Sequence, residues 1–323
     1  MARNKPVRRI ATIGAGVIGS SWTAQYLARG LDVIATDPAP NAEANLRRFV
    51  DEAWPALTEI GLSPGASRDR LSFTTDMKQA LAQADFVQES APERPDLKIR
   101  LFAEMDQAAP VDSIIASSSS SITPTVLQSK CEHPARVLVG HPINPPHIMP
   151  LVEVVAGTKT SPEAIEQAIS FYDSIGKKAI RLHKEIAGHV VNRLQAALYR
   201  EVVYLIEQGV LNVADSDTAV CWGPGLRWAI MGPNLLWDLG GGHGGIRHFM
   251  DQLMPPMVAL WSSLGNPALT PALKQTIIDG VLEEAGDRSI GQLEQERDAV
   301  LLGLLALRAQ SGRSSPEPAD RPH

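Results

Sequence analysis

Two clusters in this chain have residue types and spacing suited to chemistry. The first is His141-Pro142-Ile143-Asn144-Pro145-Pro146, followed by Pro150-Leu151-Val152-Glu153. His141 comes directly after an apolar run, 136–140, that reads as a strand, and open α/β sheets bind ligands at the carboxyl ends of their strands. Prolines stiffen the loop behind it. Glu153 lies in a β-rich run, 151–155, where a carboxylate is costly to bury without a partner. An imidazole suits it: the carboxylate fixes the ring's tautomer and stabilises the cation formed when the ring takes a proton. That is general acid/base chemistry.

The second cluster is Gly14-Ala15-Gly16-Val17-Ile18-Gly19, between an expected strand and an expected helix. In that context Gly14 permits a tight turn, Gly16 lets backbone approach a pyrophosphate, and Gly19 lets helix and strand pack closely. The helix start at Val17 and Ile18 offers free N–H groups to phosphate. Asp37 ends the next strand, where an acid accepts from ribose hydroxyls and repels a 2′-phosphate. NAD is therefore the expected cofactor.

The elements that must position these residues alternate. Apolar runs at 9–13, 31–36, 86–89, 113–117, 136–140 and 150–155 read as strands, with helical patterns at 19–29, from 41 onward (broken at Pro55 and again at 61–65) and at 96–107. The expected fold class is α/β, a Rossmann-type doubly wound, mostly parallel sheet with a C-terminal all-helical domain. Helical patterns at 190–208, 213–221, 233–239, 243–253, 271–284 and 290–309 make up that second part. The expected domains are 1–187 for NAD and 188–310 for substrate and dimerisation. The Ser-, Pro- and charge-rich stretch 311–323 is expected to be disordered.

Composition narrows the function. The chain has 323 residues, 44% hydrophobic and 20% charged, with a net charge of −6, which gives no general attraction to nucleic acid or anionic membranes. Two isolated cysteines, Cys131 and Cys221, supply neither a disulfide framework nor a zinc site. No apolar run approaches the roughly 20 residues of a membrane span. The glycine fingerprint follows too soon after the basic start for a signal peptide, so a cytoplasmic protein is expected. His183, His189, His243 and His248 lack a metal-binding spacing, and no metal is expected.

These residues carry a resemblance. GAGVIGSSW at 14–22, DPAP at 37–40, QESAPE at 88–93, SSSSS at 117–121, HPINPP at 141–146, PLVEVV at 150–155, KEIAGHVVNRL at 184–194 and GPGLRWAIMG at 223–232 resemble the 3-hydroxyacyl-CoA dehydrogenase superfamily. Within it the chain is similar to the subgroup of L-carnitine dehydrogenase and lambda-crystallin/L-gulonate 3-dehydrogenase. The resemblance implies that His141 is the general acid/base and Glu153 its partner. It implies that Ser120 and Asn192 hydrogen-bond the reacting oxygen and the histidine, and that Glu93 and Lys98 line the nicotinamide and ribose side of the NAD site. By analogy a homodimer is expected.

The segment 223–232 bears on substrate. Acyl-CoA members carry a shorter, uncharged version, whereas this chain has Arg227-Trp228 before Met231-Gly232-Pro233. A guanidinium matches a carboxylate with two parallel hydrogen bonds, so Arg227 is expected to hold the carboxylate of a free acid. Carnitine dehydrogenases generally read HPFNPVY, with aromatics able to face a trimethylammonium group. Ile143, Pro146 and His147 stand here instead, so an L-carnitine-like acid and another short 3-hydroxy acid both remain open. The alternatives are an enzyme of CoA thioesters and a non-catalytic, crystallin-like nucleotide binder.

Overall fold

A computed structural model describes residues 6–311, so most of the stretch expected to be disordered lies outside the described residues. One sheet holds eight strands: β1 (Arg9–Ile13), β2 (Asp32–Thr36), β3 (Leu71–Thr74), β4 (Phe86–Glu89), β5 (Ile114–Ser117), β6 (Val137–Pro142), β7 (Leu151–Ala156) and β8 (Lys178–Leu182). Their order is β3-β2-β1-β4-β5-β6-β7-β8, parallel throughout except where β6 meets β7. The chain winds outward from β1 to β3, then crosses back to β4 and winds the other way. The carboxyl ends of β1 and β4 therefore flank the switch point, where such sheets leave a crevice.

Six helices belong to this sheet: α1 (Val17–Ala28), α2 (Ala42–Ile60), α3 (Met77–Leu81), α4 (Pro95–Ala108), α5 (Pro124–Leu127) and α6 (Pro162–Ser174). Strand alternation sorts the core into two faces. Ile10, Phe86 and Leu138 pack with Trp22 and Tyr26 of α1, Leu46 of α2 and Tyr172 of α6. Their sequence neighbours Ala11, Val87 and Val139 pack with Leu81 of α3, Phe102 and Met105 of α4 and Leu127 of α5. Burial on both faces is why the central strands read as continuous apolar runs. β3 and β8 were not evident as strands. They are the sheet's edges, where most side chains are exposed or half-buried and the apolar signal is thin.

Two local expectations need correction. Pro55 does not break α2, which continues to Ile60. Pro55 is exposed, so the backbone carbonyl that loses its partner can turn to water. Nor does His141 follow its strand. It lies inside β6, paired with Glu153 of β7, because the antiparallel ladder extends through Pro142.

The described chain forms two compact units. One reaches Asn192 and includes Asp298–Ala306; the other runs Arg193–Arg297 and resumes at Leu307. All further elements are helical, among them α7 (Val191–Glu207), α8 (Val213–Val220), α9 (Leu226–Trp228), α10 (Pro233–Gly240), α11 (Gly245–His248), α12 (Met254–Trp261), α13 (Pro271–Ala285) and α14 (Ile290–Gln310). Asn212, Thr270 and Ser289 cap α8, α13 and α14 with their side chains. The second unit buries a small cluster, Val203, Ile206, Val213 and Leu273, and leaves Trp222, Leu239 and Trp261 exposed. No helix among the described residues is long and apolar enough to cross a membrane.

Candidate active site

The glycine loop sits at the switch point. Gly14 has φ 96°, and a Cβ there would lie 2.8 Å from the carbonyl of Ser90, just beyond β4. A Cβ on Gly19 would lie 1.9 Å from the Gly14 carbonyl oxygen, so no side chain is possible where α1 meets the loop. Gly16 differs: a Cβ there would meet nothing within 4 Å. The loop is thus open at Gly16, and α1 begins there with no side-chain cap on its N–H groups. This arrangement fits a pyrophosphate, with Val17 and Ile18 in the first helical turn. Asp37 Oδ2 accepts from the Ala15 N–H at 2.7 Å and Oδ1 from the Ala39 N–H at 2.8 Å. The acid assigned to ribose therefore also holds the glycine loop.

Beyond β4 lies a buried ionic network that sequence reading only partly anticipated. Lys98 and Glu89 are both almost fully buried, with Nζ 2.9 and 3.1 Å from the two carboxylate oxygens. Glu89 also accepts from the Ala91 N–H at 2.6 Å and the Ser117 hydroxyl at 2.5 Å, so its charge is fully satisfied. Lys98 reaches Glu93 at 3.3 Å. Glu93 Oε1 in turn accepts from the Ser119 hydroxyl, the Ser120 and Ser121 N–H groups and the Ser121 hydroxyl, at 2.6 to 3.1 Å. Burial pushes the Glu93 carboxyl up, but those hydrogen bonds and the Lys98 charge outweigh it and hold it at about 2. Glu93 thereby fixes the serine loop, while the Lys98 ammonium is engaged by two carboxylates. Glu89, Ser117 and Ser119 were missed as site residues; the one available signal was an acid ending an apolar strand.

His141 and Glu153 face each other across the β6–β7 ladder, which places their side chains on the same side of the sheet. Nδ1 lies 2.8 Å from Glu153 Oε2. A carboxylate accepts only, so Nδ1 carries a proton, and in the neutral ring Nε2 is the acceptor. Glu153 Oε1 accepts from the N–H groups of Val190 and Val191, at 2.8 and 3.1 Å, as α7 begins. Burial raises the Glu153 carboxyl, but the His141 hydrogen bond and these two N–H groups prevail and hold it below its ordinary range. Asn192 is half-buried in the first turn of the same helix. Ser120 is half-buried in the loop that Glu93 fixes. Below the pair, Gln88 accepts from Tyr172 at 2.7 Å and donates to Ser118 at 2.8 Å. Gly140 has no room for a Cβ against Tyr172, which sets the strand just before His141.

Arg227 belongs to the second unit, in α9. It is exposed and has no ion pair among the described residues. His147 is buried, with Nδ1 2.8 Å from the Ser21 hydroxyl and its ring edge-on to Phe49.

Comparison with known proteins agrees along the chain. Residues 9–186 match the family description "3-hydroxyacyl-CoA dehydrogenase, NAD binding domain", and 188–274 match "3-hydroxyacyl-CoA dehydrogenase, C-terminal domain". An L-carnitine dehydrogenase of Streptomyces griseus is 46% identical over 313 residues, spanning 97% of this chain and 93% of that protein. One from Pseudomonas putida is 47% identical over 299 residues, 93% of each chain. Among solved structures, an NAD+-dependent 5-formyl-3-hydroxy-2-methylpyridine 4-carboxylic acid 5-dehydrogenase superposes with a TM-score of 0.81. It is 33% identical and spans 95% of this chain and all of that one.

Proposed function

Because the chain belongs to the 3-hydroxyacyl-CoA dehydrogenase family and is an NAD-dependent oxidoreductase, we propose that it oxidises the 3-hydroxyl of a small free hydroxy acid, L-carnitine or a close analogue, to the 3-keto acid. The observation that carries the chemistry is the 2.8 Å hydrogen bond between His141 Nδ1 and the buried Glu153.

NAD, held by Gly14, Gly16, Val17, Ile18, Gly19 and Asp37, supplies the hydride acceptor. His141 Nε2 takes the hydroxyl proton, and Glu153 stabilises the resulting imidazolium. Ser120 and Asn192 hydrogen-bond the reacting oxygen as charge builds on it. Glu93, fixed by Lys98, lines the nicotinamide side. Arg227 holds the substrate carboxylate, a role consistent with its exposure and its lack of an ion-pair partner among the described residues. The free-acid assignment is supported by the names of the carnitine dehydrogenases and of the carboxylic acid dehydrogenase that this chain resembles. A second copy of the chain is the proposed cover for Trp222, Leu239 and Trp261, giving a homodimer measurable by analytical ultracentrifugation.

The test is NADH formation with L-carnitine, D-carnitine, L-gulonate, both 3-hydroxybutyrates and 3-hydroxybutyryl-CoA, for the wild type and His141→Ala. Turnover of a free acid that His141→Ala abolishes is expected. Turnover of the thioester alone would move the chain to the CoA-ester reading, and NAD binding without any turnover to the crystallin-like one.

A further inference from the structure

A second imidazole lies against the first. His189 is fully buried, and its ring centroid is 5.1 Å from that of His141, with the planes tilted by 49°. Its backbone is left-handed, φ 49°, directly after Gly188, and this turns the side chain inward while Val190 and Val191 present their N–H groups to Glu153. His189 Nε2 lies 3.0 Å from the Ser119 carbonyl oxygen. A carbonyl only accepts, so Nε2 carries a proton. Nδ1 is buried with no partner among the described residues, and a proton there would be an unpaired buried donor. The ring is therefore the neutral Nε2–H tautomer. The groups facing it are His141 from β6, Glu153 from β7 and Glu93 beyond β4. Burial, reinforced by any charge on His141, holds the His189 imidazole below its ordinary range, against the Ser119 hydrogen bond and the pull of the two carboxylates.

The loop that His189 holds is the one that Glu93 also fixes: the Ser119 hydroxyl donates to Glu93, and its carbonyl accepts from His189. Residues 189–191 thus join the serine loop on one side to the His141–Glu153 pair on the other. We propose that His189 is a positioning residue, which as a neutral N–H donor to Ser119 locks the serine loop in register with the acid/base pair. This rests on the reading of His141 and Glu153 as that pair.

His189→Phe keeps the ring's bulk and removes the donor, whereas His189→Gln restores an N–H donor of similar reach that cannot carry the imidazolium charge. Asparagine tolerates a left-handed backbone but its amide is shorter, so His189→Asn serves as a second loss variant where the strained phenylalanine weakens folding. With NAD affinity as the check on the first unit, the two loss variants are expected to lower kcat about tenfold, the worth of one hydrogen bond of about 1.4 kcal/mol, with KM for NAD unchanged. His189→Gln is expected to recover most of kcat with the wild-type pH profile. The proposal is overturned if the loss variants turn over as the wild type does. It is also overturned if His189→Gln is as impaired as His189→Phe, because the imidazole itself would then be required. His141→Ala, assayed alongside, separates the two readings: full activity there removes the acid/base assignment itself, whereas its loss beside an unaffected His189→Phe removes only this inference.

Discussion

Replacing Glu153 by glutamine changes one charge in a site whose shape is otherwise preserved. The glutamine oxygen can still accept from the Val190 and Val191 N–H groups, which have no other acceptor in the site. That leaves the amide nitrogen, a donor, facing His141 Nδ1 at the 2.8 Å contact. Nδ1 must then accept, and the ring's proton moves to Nε2, the atom proposed to take the substrate's proton. The second loss is electrostatic. Opposite charges about 4 Å apart interact by about 4 kcal/mol at an effective dielectric of about 20, which bounds the support lost by the imidazolium at about 10³-fold in rate. Wrong-tautomer substitutions in an analogous carboxylate–histidine pair cost about 10⁴-fold. Glu153→Gln is therefore expected to lower kcat by about 10³- to 10⁴-fold with NAD affinity intact. Steady-state NADH formation and NAD titration measure both. A kcat within about tenfold of wild type would refute the tautomer argument.

Other residues are equally open to measurement. Arg227→Ala is expected to raise KM for a free hydroxy acid about 100-fold, by loss of paired charge-assisted hydrogen bonds; an unchanged KM would end the clamp assignment. Gly19→Ala places a Cβ 1.9 Å from the Gly14 carbonyl oxygen, so NAD affinity should fall about 10- to 100-fold, and calorimetry showing wild-type binding would contradict the packing argument. Lys177 is buried and holds the Pro146 and Met149 carbonyls behind the His141 loop. Burial, helped by the Arg29 charge, pushes its ammonium from 10.5 down to about 7. Between those values the unfolded chain binds the proton that the folded chain lacks, so this group's contribution to stability rises with pH, by at most about 1.4 kcal/mol per unit. In urea melts the wild type should thus gain on Lys177→Met as pH climbs above 7, and parallel stability profiles would contradict the depressed ammonium.

Much of the architecture could be read from the chain alone because it is written locally. The fingerprint glycines answer to steric demands within a few residues of themselves: Gly14 to its own positive φ, Gly19 to the carbonyl of Gly14. Buried central strands are mainly apolar on both faces, so they could be located in the sequence, while β3 and β8, half in water at the edges, carried no such pattern. The contact between His141 and Glu153 could also be anticipated, since one short antiparallel ladder separates them and an acid in an apolar run needs a partner.

What the tertiary structure decided is which distant segments share a crevice. Ser117 reaches Glu89 because β5 lies beside β4, and His189 meets Ser119 because the chain leaves the sheet at the edge and returns over the serine loop. Nothing in the spacing of Ser119 or His189 marks them, because their partners are set by strand order and by a left-handed turn. The residue types of the chemistry lay in the sequence; the buried hydrogen bonds that hold them arise only when strand order brings remote backbone together, where unpaired polar groups would be too costly to bury.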